Sequence, residues 1–284
     1  MRQTPFRELI LIQIKKVESI DLLSGLKQQY IDQATAPLDG MWLCGFVPMA
    51  SHFGFYVKKK LVGFCCINDE GYLLQFHLCP SKQDQASPLF DSVLTQNNSP
   101  AGKINGAFAS TAEPQYLSLC LDSFSTFKVS TLMYQLDKKL PAEHEHEPIL
   151  RVAPVKPEQL TEMVDFAKTN IGAPEQWLTG YYSNLINRQE LFELRQNGRL
   201  LAAGESRGYD EYQTDYADLG VIVDKPERGK GLATKVLKQL VTITEKKGLK
   251  PICSTEKNNI GAQKAITRAG FFAGNRIIQF DTAP

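Results

Sequence analysis

The amino-acid sequence predicts a mixed α/β protein, α+β in some schemes, whose two halves repeat one order of strands and helices. In the second half, the apolar, β-branched run 219–223 has the character of a buried strand. Apolar residues then recur at helical spacing from Leu232 to Val241, and Lys246-Lys247-Gly248 closes this helix with cations and a glycine. The first half carries a matching succession of predicted elements.

The repeat appears as a constant interval in the sequence. Ala109-Ser110-Thr111 lies 144 positions before Cys253-Ser254-Thr255, and the same interval separates Phe127 from Phe271 and Gln135 from Gln279. The elements predicted for the first half are a hairpin at 53–57 and 61–67, a third strand at 72–78 and a helix at 88–96. Those predicted for the second half are a hairpin at 191–195 and 199–206, a strand at 218–223 and the helix that starts at 232.

A polar segment at 138–149 separates the two halves. It contains Glu143-His144-Glu145-His146-Glu147 and has no apolar periodicity, which is typical of a linker. The spacing of its two histidines resembles that of metal ligands, but no third ligand is nearby in the sequence, so we predict no metal site. We therefore predict domains at 1–137 and 150–284.

The turn between the strand and the helix of the second half has the composition of a phosphate site. Gly229 and Gly231 lack a Cβ atom, so backbone N–H groups can approach a ligand closely. The helix start behind them adds unpaired donors and the positive end of a dipole. Arg228 and Lys230 add formal positive charge, so the pattern predicts a cradle for a diphosphate.

Three phosphate-binding patterns can be compared with this turn. A Walker A loop requires a glycine where the chain has Asp224 and a Ser or Thr where it has Gly231, so it is excluded. A dinucleotide fingerprint fits only in part, because the chain has Thr234 where the pattern requires its third glycine. The pattern Arg/Gln-x-x-Gly-x-Gly/Ala matches Arg228-Gly229-Lys230-Gly231-Leu232-Ala233 at every specified position. On this match the chain resembles the GNAT acyltransferase superfamily, whose members bind acetyl-CoA or another acyl-CoA.

A second block supports the resemblance. A strand at 251–255, a helix that starts at Asn258-Asn259 and a stop at Gly270-Phe271 follow in the order typical of the superfamily. With its leading Cys-Ser strand, the block is similar to the subgroup related to glycine N-acyltransferases. The resemblance implies two tandem GNAT-like domains, each a mixed, mostly antiparallel sheet flanked by helices.

The resemblance also implies a transferase reaction. It implies transfer of an acetyl group from acetyl-CoA to a small-molecule amine or a protein amino group, by direct attack on the thioester. The general base is expected to be a carboxylate near the start of the strand, and Asp218 is the first candidate, followed by Glu205 and Asp215. The residues implied to bind the cofactor are Val221, Ile222, Val223, Arg228, Gly229, Lys230, Gly231, Leu232, Ala233, Thr234 and Asn259.

One position departs from the family pattern. Many members have a tyrosine seven residues after the helix-starting Asn, as an acid for the departing thiol, and this chain has Ile266. Another tyrosine or solvent would have to replace it, or the protein is a non-catalytic acyl-CoA-binding or regulatory module. The aromatic residues of the segment 170–187, Trp177, Tyr181 and Tyr182, could line an acceptor site or pack in the core.

The first half lacks the glycine turn. Aligning Leu94 with Leu237 places Gln85, Pro88 and Phe90 at the positions of Arg228, Gly231 and Ala233. Proline offers no N–H to a phosphate, and phenylalanine fills the space that a small residue leaves open. We therefore expect the first half to be a degenerate copy and the cofactor to bind once per chain.

Composition narrows the class of protein and of partner. The 284 residues are 43% hydrophobic and 22% charged, as in ordinary globular domains, and the net charge of +1 argues against nucleic acid as a partner. No segment approaches the about 20 apolar residues of a membrane span. The 6 cysteines show no Cys-x-x-Cys spacing, as expected for reduced thiols in the cytoplasm. Either a monomer or a homodimer is compatible with the sequence.

Overall fold

The computed structural model describes residues 12–95, 102–137 and 151–282, so the predicted linker 138–149 lies outside the described residues. The strands are β1 (Gln13–Lys16), β2 (Ser51–Val57), β3 (Lys60–Ile67), β4 (Tyr72–Leu78), β5 (Gly106–Ser110), β6 (Thr126–Leu136), β7 (Val152–Pro154), β8 (Leu191–Gln196), β9 (Arg199–Gly208), β10 (Tyr216–Val223), β11 (Lys250–Glu256) and β12 (Phe271–Asp281). The α-helices are α1 (Ser24–Asp32), α2 (Val47–Met49), α3 (Ala86–Thr95), α4 (Pro114–Ser123), α5 (Leu160–Ile171), α6 (Glu175–Asn187), α7 (Leu232–Lys246) and α8 (Ile260–Arg268).

The chain divides into two compact units that do not follow simple chain order. Unit 1 is formed by the described parts of Met1–Ala36, Met41–Lys128 and Ile277–Pro284, and unit 2 by those of Pro37–Gly40 and Val129–Arg276. The division by sequence into 1–137 and 150–284 stays a prediction. The compact units differ from it at Pro37–Gly40 and at β6 and β12, each of which has its two ends in different units.

The sheet of unit 1 is mostly antiparallel. Strands β1 to β4 pair in antiparallel succession, and β5 runs parallel to β4 through Tyr72↔Gly106 and Leu73↔Ala107. Residues 277–281, at the end of β12, then pair antiparallel with β5. The last strand of this sheet thus comes from the second half of the sequence.

The sheet of unit 2 repeats this plan. Strands β7 to β10 are antiparallel, β11 runs parallel to β10 from Tyr216↔Lys250 to Asp218↔Ile252, and β6 pairs antiparallel with β11. Tyr216 and Lys250 lie 144 positions after Tyr72 and Gly106, which form the first parallel pair of unit 1. The structure therefore confirms the internal repeat and the mixed, mostly antiparallel sheets.

The two faces of β10 have different surroundings, because side chains alternate along a strand. Leu219, Val221 and Val223 belong to the apolar cluster that includes the buried face of α7. Ile222 faces the other way and packs against the core formed by α5 and α6. Asp218 and Gly220 share the face of Ile222, so polar groups on that face lie between the sheet and these two helices.

The helix predicted at 88–96 is α3, which begins two residues earlier, after the 3₁₀ segment Pro80–Gln85. Pro88 still falls in the first turn, where the missing N–H breaks no helical hydrogen bond. The helix buries Leu89, Phe90 and Val93 in the core of unit 1. The prediction of a helix here is therefore confirmed, whereas its predicted starting residue was wrong.

Replacing Phe280 with alanine is expected to destabilise unit 1 by about 3–5 kcal/mol, the usual cost of removing a buried aromatic side chain. Phe280 is fully buried in the core of unit 1, beside Phe124 and Phe127. Phe272→Ala is the matched control, since Phe272 lies on the same strand with 47% of its surface exposed. Urea unfolding of both variants measures the effect, and equal losses would contradict the place of β12 in the core of unit 1.

Candidate active site

Strands β10 and β11 separate after their first three residue pairs. The N–H of Asp224 donates to the carbonyl oxygen of Leu201 at 2.9 Å, and the register with β9 continues through Ile222↔Ala203. Hydrogen-bonded positions alternate in an antiparallel pair, so the backbone of Ile222 faces β9, whereas those of Val221 and Val223 face the side of β11. Pairing with β11 ends at Asp218↔Ile252. Val221 therefore faces a gap, the β10–β11 opening, between 219–223 of β10 and 253–256 of β11.

The turn that follows β10 leaves its two glycines open. Gly229 and Gly231 both have φ of 81°, which favours glycine, and no neighbouring atom lies within 4 Å of the place that a Cβ would take. Gly231 is the N-cap of α7, and no side chain caps that helix end. The N–H groups of Leu232, Ala233 and Thr234 have no partner inside the helix. We call this segment, 228–234, the glycine turn; it can accept an anionic group.

The charged side chains of the glycine turn are engaged within the fold. Arg228 donates from Nε to the carbonyl oxygen of Val223 at 3.1 Å and from Nη2 to that of Asn170 at 2.8 Å. Asn170 also accepts the N–H of Lys225 at 2.8 Å through its side-chain oxygen. Lys230 pairs with Glu227 at 2.9 Å. Arg228 thus braces the turn against α5, and the backbone N–H groups are the donors that remain directed outward.

Helix α8 supports the other side of the glycine turn. Asn259 caps this helix by accepting the N–H of Ala262 at 3.1 Å, as the sequence predicts for a helix start. The Thr234 hydroxyl donates to the carbonyl oxygen of Ala265 at 3.3 Å and so ties α7 to α8. The side chains of Thr234 and Asn259 therefore have structural partners of their own.

A chain of four polar side chains lies on the face of the sheet toward α5 and α6. Arg207 donates from Nη2 to Oδ2 of Asp218 at 2.6 Å and from Nη1 to the Tyr181 hydroxyl at 2.9 Å. The Tyr181 hydroxyl donates to Oε2 of Glu205 at 2.7 Å. Glu205 is the register partner of Gly220, and its carboxylate lies close to that residue because glycine has no side chain. The structure thus brings Asp218 and Glu205 into one network beside the β10–β11 opening, whereas Asp215, the third predicted candidate, is exposed and pairs with Lys250.

The environment of Asp218 favours proton exchange near neutral pH. Burial is the largest effect and raises the pKa of Asp218 to about 7, against the lowering effect of Arg207. The negative charges of Asp39 and Glu205 raise this pKa further, and a hydrogen bond from the backbone of Gly40 lowers it. A carboxylate with a pKa close to the working pH is suited to act as a general base.

The three aromatic residues of α6 have different surroundings. Trp177 is 40% exposed and stacks on Tyr181 with ring centroids 4.7 Å apart. Burial raises the pKa of Tyr181 well above its usual range, so its hydroxyl stays protonated and donates to Glu205. Tyr182 is fully buried in the core with α5. Trp177 and Tyr181 therefore form a partly exposed, stacked aromatic pair next to Glu205, whereas Tyr182 packs in the core.

Comparisons with known proteins identify the family of the chain. A family model described as an acetyltransferase (GNAT) domain matches residues 19–137, and one described as the acetyltransferase (GNAT) family matches residues 159–271. A solved GNAT-family acetyltransferase from Colwellia psychrerythraea is 54% identical, with a TM-score of 0.91 over 95% of this chain and 100% of its own. This chain belongs to the GNAT acetyltransferase family. It contains two GNAT domains in tandem.

More distant solved structures share the fold alone. A tandem GNAT protein from the clavulanic acid biosynthesis pathway, solved without AcCoA, is 12% identical, covers 96% of this chain and 99% of its own, and has a TM-score of 0.58. A GCN5-related N-acetyltransferase from Sphaerobacter thermophilus is also 12% identical and covers 80% of this chain and 79% of its own, with a TM-score of 0.57. No curated protein matches this chain.

In the first GNAT domain, aromatic side chains pack where β4 and β5 separate. Pairing of β4 with β5 ends at Leu73, and the Tyr116 hydroxyl donates to the Leu73 carbonyl oxygen at 3.0 Å. Phe90, aligned with Ala233, is fully buried between Phe76 and Tyr116, with centroid distances of 5.0 and 6.1 Å. Phe90 thus fills the position that Ala233 leaves small in the second GNAT domain, and the cavity that remains in unit 1, lined by Phe76 and Tyr116 among others, measures about 20 Å³.

Sequence reasoning missed three parts of this site. Arg207 falls one residue beyond the predicted strand 199–206, and the alternation from Glu205 would have placed it on the same face. Asn170 and Pro37–Gly40 reach the site only through tertiary contacts, so no local pattern signals them. Ile266, which replaces the usual tyrosine, is buried in the core of α7 and α8.

Across residues 12–95, 102–137 and 151–282, no group of three or more His, Cys, Asp and Glu side chains is arranged to hold a metal ion. None of the helices in those ranges combines the length and the apolar character that crossing a bilayer demands.

Proposed function

We propose that the chain is an N-acetyltransferase that uses acetyl-CoA, and that the second GNAT domain holds the cofactor and performs the transfer. The observation that carries the proposal is the glycine turn, open at Gly229 and Gly231, directly beside the β10–β11 opening. Phosphate recognition and a free strand edge thus lie next to each other in unit 2. The acceptor is proposed to be an amine, in keeping with the family. The glycine N-acyltransferase-like subgroup is proposed on the leading Cys253-Ser254 strand of the block with Asn259 and Gly270-Phe271.

The shape of the glycine turn fits a diphosphate. A side chain at position 229 or 231 would project into the open space where an anion approaches the N–H groups, and both positions carry none. The uncapped end of α7 supplies further N–H donors and the positive end of the helix dipole. Acetyl-CoA, when bound, would supply an activated acyl group as a thioester.

The chain's own residues provide an oxyanion donor and a base, whereas CoA leaves as the thiolate and takes its proton from solvent, because Ile266 replaces the usual tyrosine. The N–H of Val221 points into the β10–β11 opening, where it can donate a hydrogen bond to an oxygen that becomes negatively charged. Asp218 can accept the proton of the attacking ammonium through water, because its pKa is raised to about 7. Arg207 holds this carboxylate in place at 2.6 Å, and Glu205 offers a second carboxylate to an approaching cation.

The same observations support one cofactor per chain. The first GNAT domain has Pro88 and Phe90 where the second has Gly231 and Ala233, and Phe90 is fully buried. Displacing Phe90 to admit a cofactor would expose the aromatic core of unit 1. We therefore place acetyl-CoA in the second GNAT domain only.

Release of CoA, followed with a thiol reagent over a panel of amines, tests the proposal. We expect amine-dependent release with at least one acceptor class among amino acids, polyamines and peptides with free amino groups. Calorimetric titration with acetyl-CoA runs in parallel. Binding without turnover on every amine would support the non-catalytic acyl-CoA-binding module, and absence of binding would contradict both functions.

A further inference from the structure

Four residues from the first half of the sequence lie against the proposed general base. Pro37–Gly40 belongs to unit 2, although the chain before and after it belongs to unit 1. We call these four residues the strap. Leu38 is 1% exposed, and Asp39 and Gly40 are also buried. A short segment so deeply enclosed must satisfy its backbone polar groups with partners in unit 2.

Gln213 holds the strap by both polar atoms of its side chain. Its Oε1 accepts the N–H of Leu38 at 2.6 Å, and its Nε2 donates to the Leu38 carbonyl oxygen at 3.1 Å. The Tyr209 hydroxyl donates to the same carbonyl oxygen at 3.2 Å. Gln213 has φ of 58°, a conformation that is costly for a non-glycine residue. The loop between β9 and β10 is thus shaped so that one amide group pairs with the strap.

The strap touches Asp218 directly. The backbone of Gly40 hydrogen-bonds to the Asp218 carboxylate, and a Cβ at position 40 would overlap with Oδ2, Cγ and Cβ of Asp218. Asp39 and Asp218 both line a cavity of about 10 Å³, together with Ser254 and Asn275. This volume suffices for about one water molecule, so the strap shields Asp218 from bulk solvent.

Charged and titratable groups face Asp218 from several elements. Arg207 and Glu205 come from β9, Asp39 from the strap, Cys253 from β11, and Tyr181 from α6 through Arg207. Removing the strap would admit water and remove the negative charge of Asp39. Each of these two changes favours the ionised form of Asp218 and so lowers its pKa. Removal of the strap would also eliminate the Gly40 hydrogen bond, which acts in the opposite direction. Because burial is the largest effect on Asp218, the first two changes outweigh the third.

We propose that the strap, locked by Gln213, is a positioning element that holds Asp218 oriented and shielded from solvent for acetyl transfer. The proposal rests on the proposed function, in which Asp218 is the general base. It gives a segment of the first half of the chain a part in the chemistry of the second GNAT domain. Gln213 and Gly40 act through Asp218 and are positioning residues.

Gln213→Leu tests the lock, since leucine keeps similar bulk but cannot pair with Leu38. We expect kcat to fall about 10- to 100-fold, as for a displaced catalytic group. We also expect the acid limb of the pH profile of kcat/KM to move down by about one pH unit, because Asp218 becomes hydrated. The Kd for acetyl-CoA stays unchanged, as the glycine turn is untouched.

Gln189→Leu is the matched control. Gln189 is also a glutamine of unit 2 with positive φ, 55°, but its side chain is exposed. It should retain wild-type kcat and the wild-type pH profile. A Gln213→Leu protein with a lower Tm but unchanged kcat and pH profile would overturn the proposal, because the strap would then only stabilise the fold.

A second variant and a second measurement separate this proposal from the proposed function. Gly40→Ala should displace Asp218 by steric overlap and lower kcat, even if Gln213→Leu fails to fold. The carboxyl ¹³C resonance of Asp218, assigned with Asp218→Asn, reports its titration without any substrate. A downward shift of this titration in Gln213→Leu would support the strap even if the wild-type protein acetylated no amine, and an unchanged titration would overturn it.

Discussion

Replacing Gly231 with valine is expected to weaken acetyl-CoA binding about 100-fold, a loss of about 3 kcal/mol in binding free energy. Valine at φ of 81° is strained, and its side chain would project into the open space at the end of α7. Both effects remove N–H groups from the reach of a diphosphate. Isothermal titration calorimetry with acetyl-CoA measures the change directly.

Gly248→Val separates the loss of the cradle from backbone strain. Gly248 follows the opposite end of α7, has φ of 77° and is equally open, so valine there carries a similar strain of about 1–3 kcal/mol. Both variants should therefore lose stability to a similar extent, while only Gly231→Val loses affinity. If the two proteins bound acetyl-CoA with the same Kd, the glycine turn could not be the diphosphate site.

Asp218→Asn is expected to lower kcat about 1000-fold, within the range that general base catalysis supplies, and to leave the Kd for acetyl-CoA unchanged. Asparagine keeps the size of the side chain and can still face Arg207, but it cannot accept a proton. Steady-state kinetics with saturating acetyl-CoA and the best acceptor amine give the comparison.

The pH dependence of kcat/KM tests the role of Asp218 as the general base independently. A base works only when it is deprotonated, so wild-type kcat/KM should fall by about tenfold per pH unit below the Asp218 pKa of about 7 and level off above it. Asp218→Asn should lose this acid limb. Asp215→Asn is the control, because Asp215 precedes β10 on the surface, 74% exposed and 3.4 Å from Lys250. A variant of Asp218 that kept the wild-type limb would assign the base to another group, with Glu205 the next candidate.

The sequence predicts those parts of the site that are formed by residues close together in the chain. The glycine turn depends on residues that are neighbours in the chain, and the helix behind it follows from apolar spacing that runs from Leu232 to Val241. The side-chain direction of Arg228 could not be predicted, because its acceptor on Asn170 lies 58 positions away in sequence and is brought close only by the fold. The hydrogen bonds between Gln213 and Leu38 could not be predicted for the same reason, because these residues are also far apart in the sequence.

The exchange of the last strands was also beyond the sequence pattern. The repeat makes β6 and β12 equivalent, with Phe127 matched to Phe271 and Gln135 matched to Gln279. Each strand could therefore complete either sheet as far as its own apolar pattern is concerned. The choice is made by the connections before them and by packing, such as that of Phe280 in the core of unit 1. Neither the connections nor the packing can be predicted from residue propensities or from the periodicity of apolar residues.

The position of β12 near the end of the chain affects the order in which the two sheets are completed during translation. Residues 277–281 pair with β5, so the sheet of unit 1 lacks its last strand until nearly the whole described chain has left the ribosome. β6, in contrast, is made before β11, its partner in unit 2. The first GNAT domain to be translated is thus the last to be completed. Residues 1–137 expressed alone would lack β12, and residues 150–284 expressed alone would lack β6, so each half by itself would carry an open sheet edge.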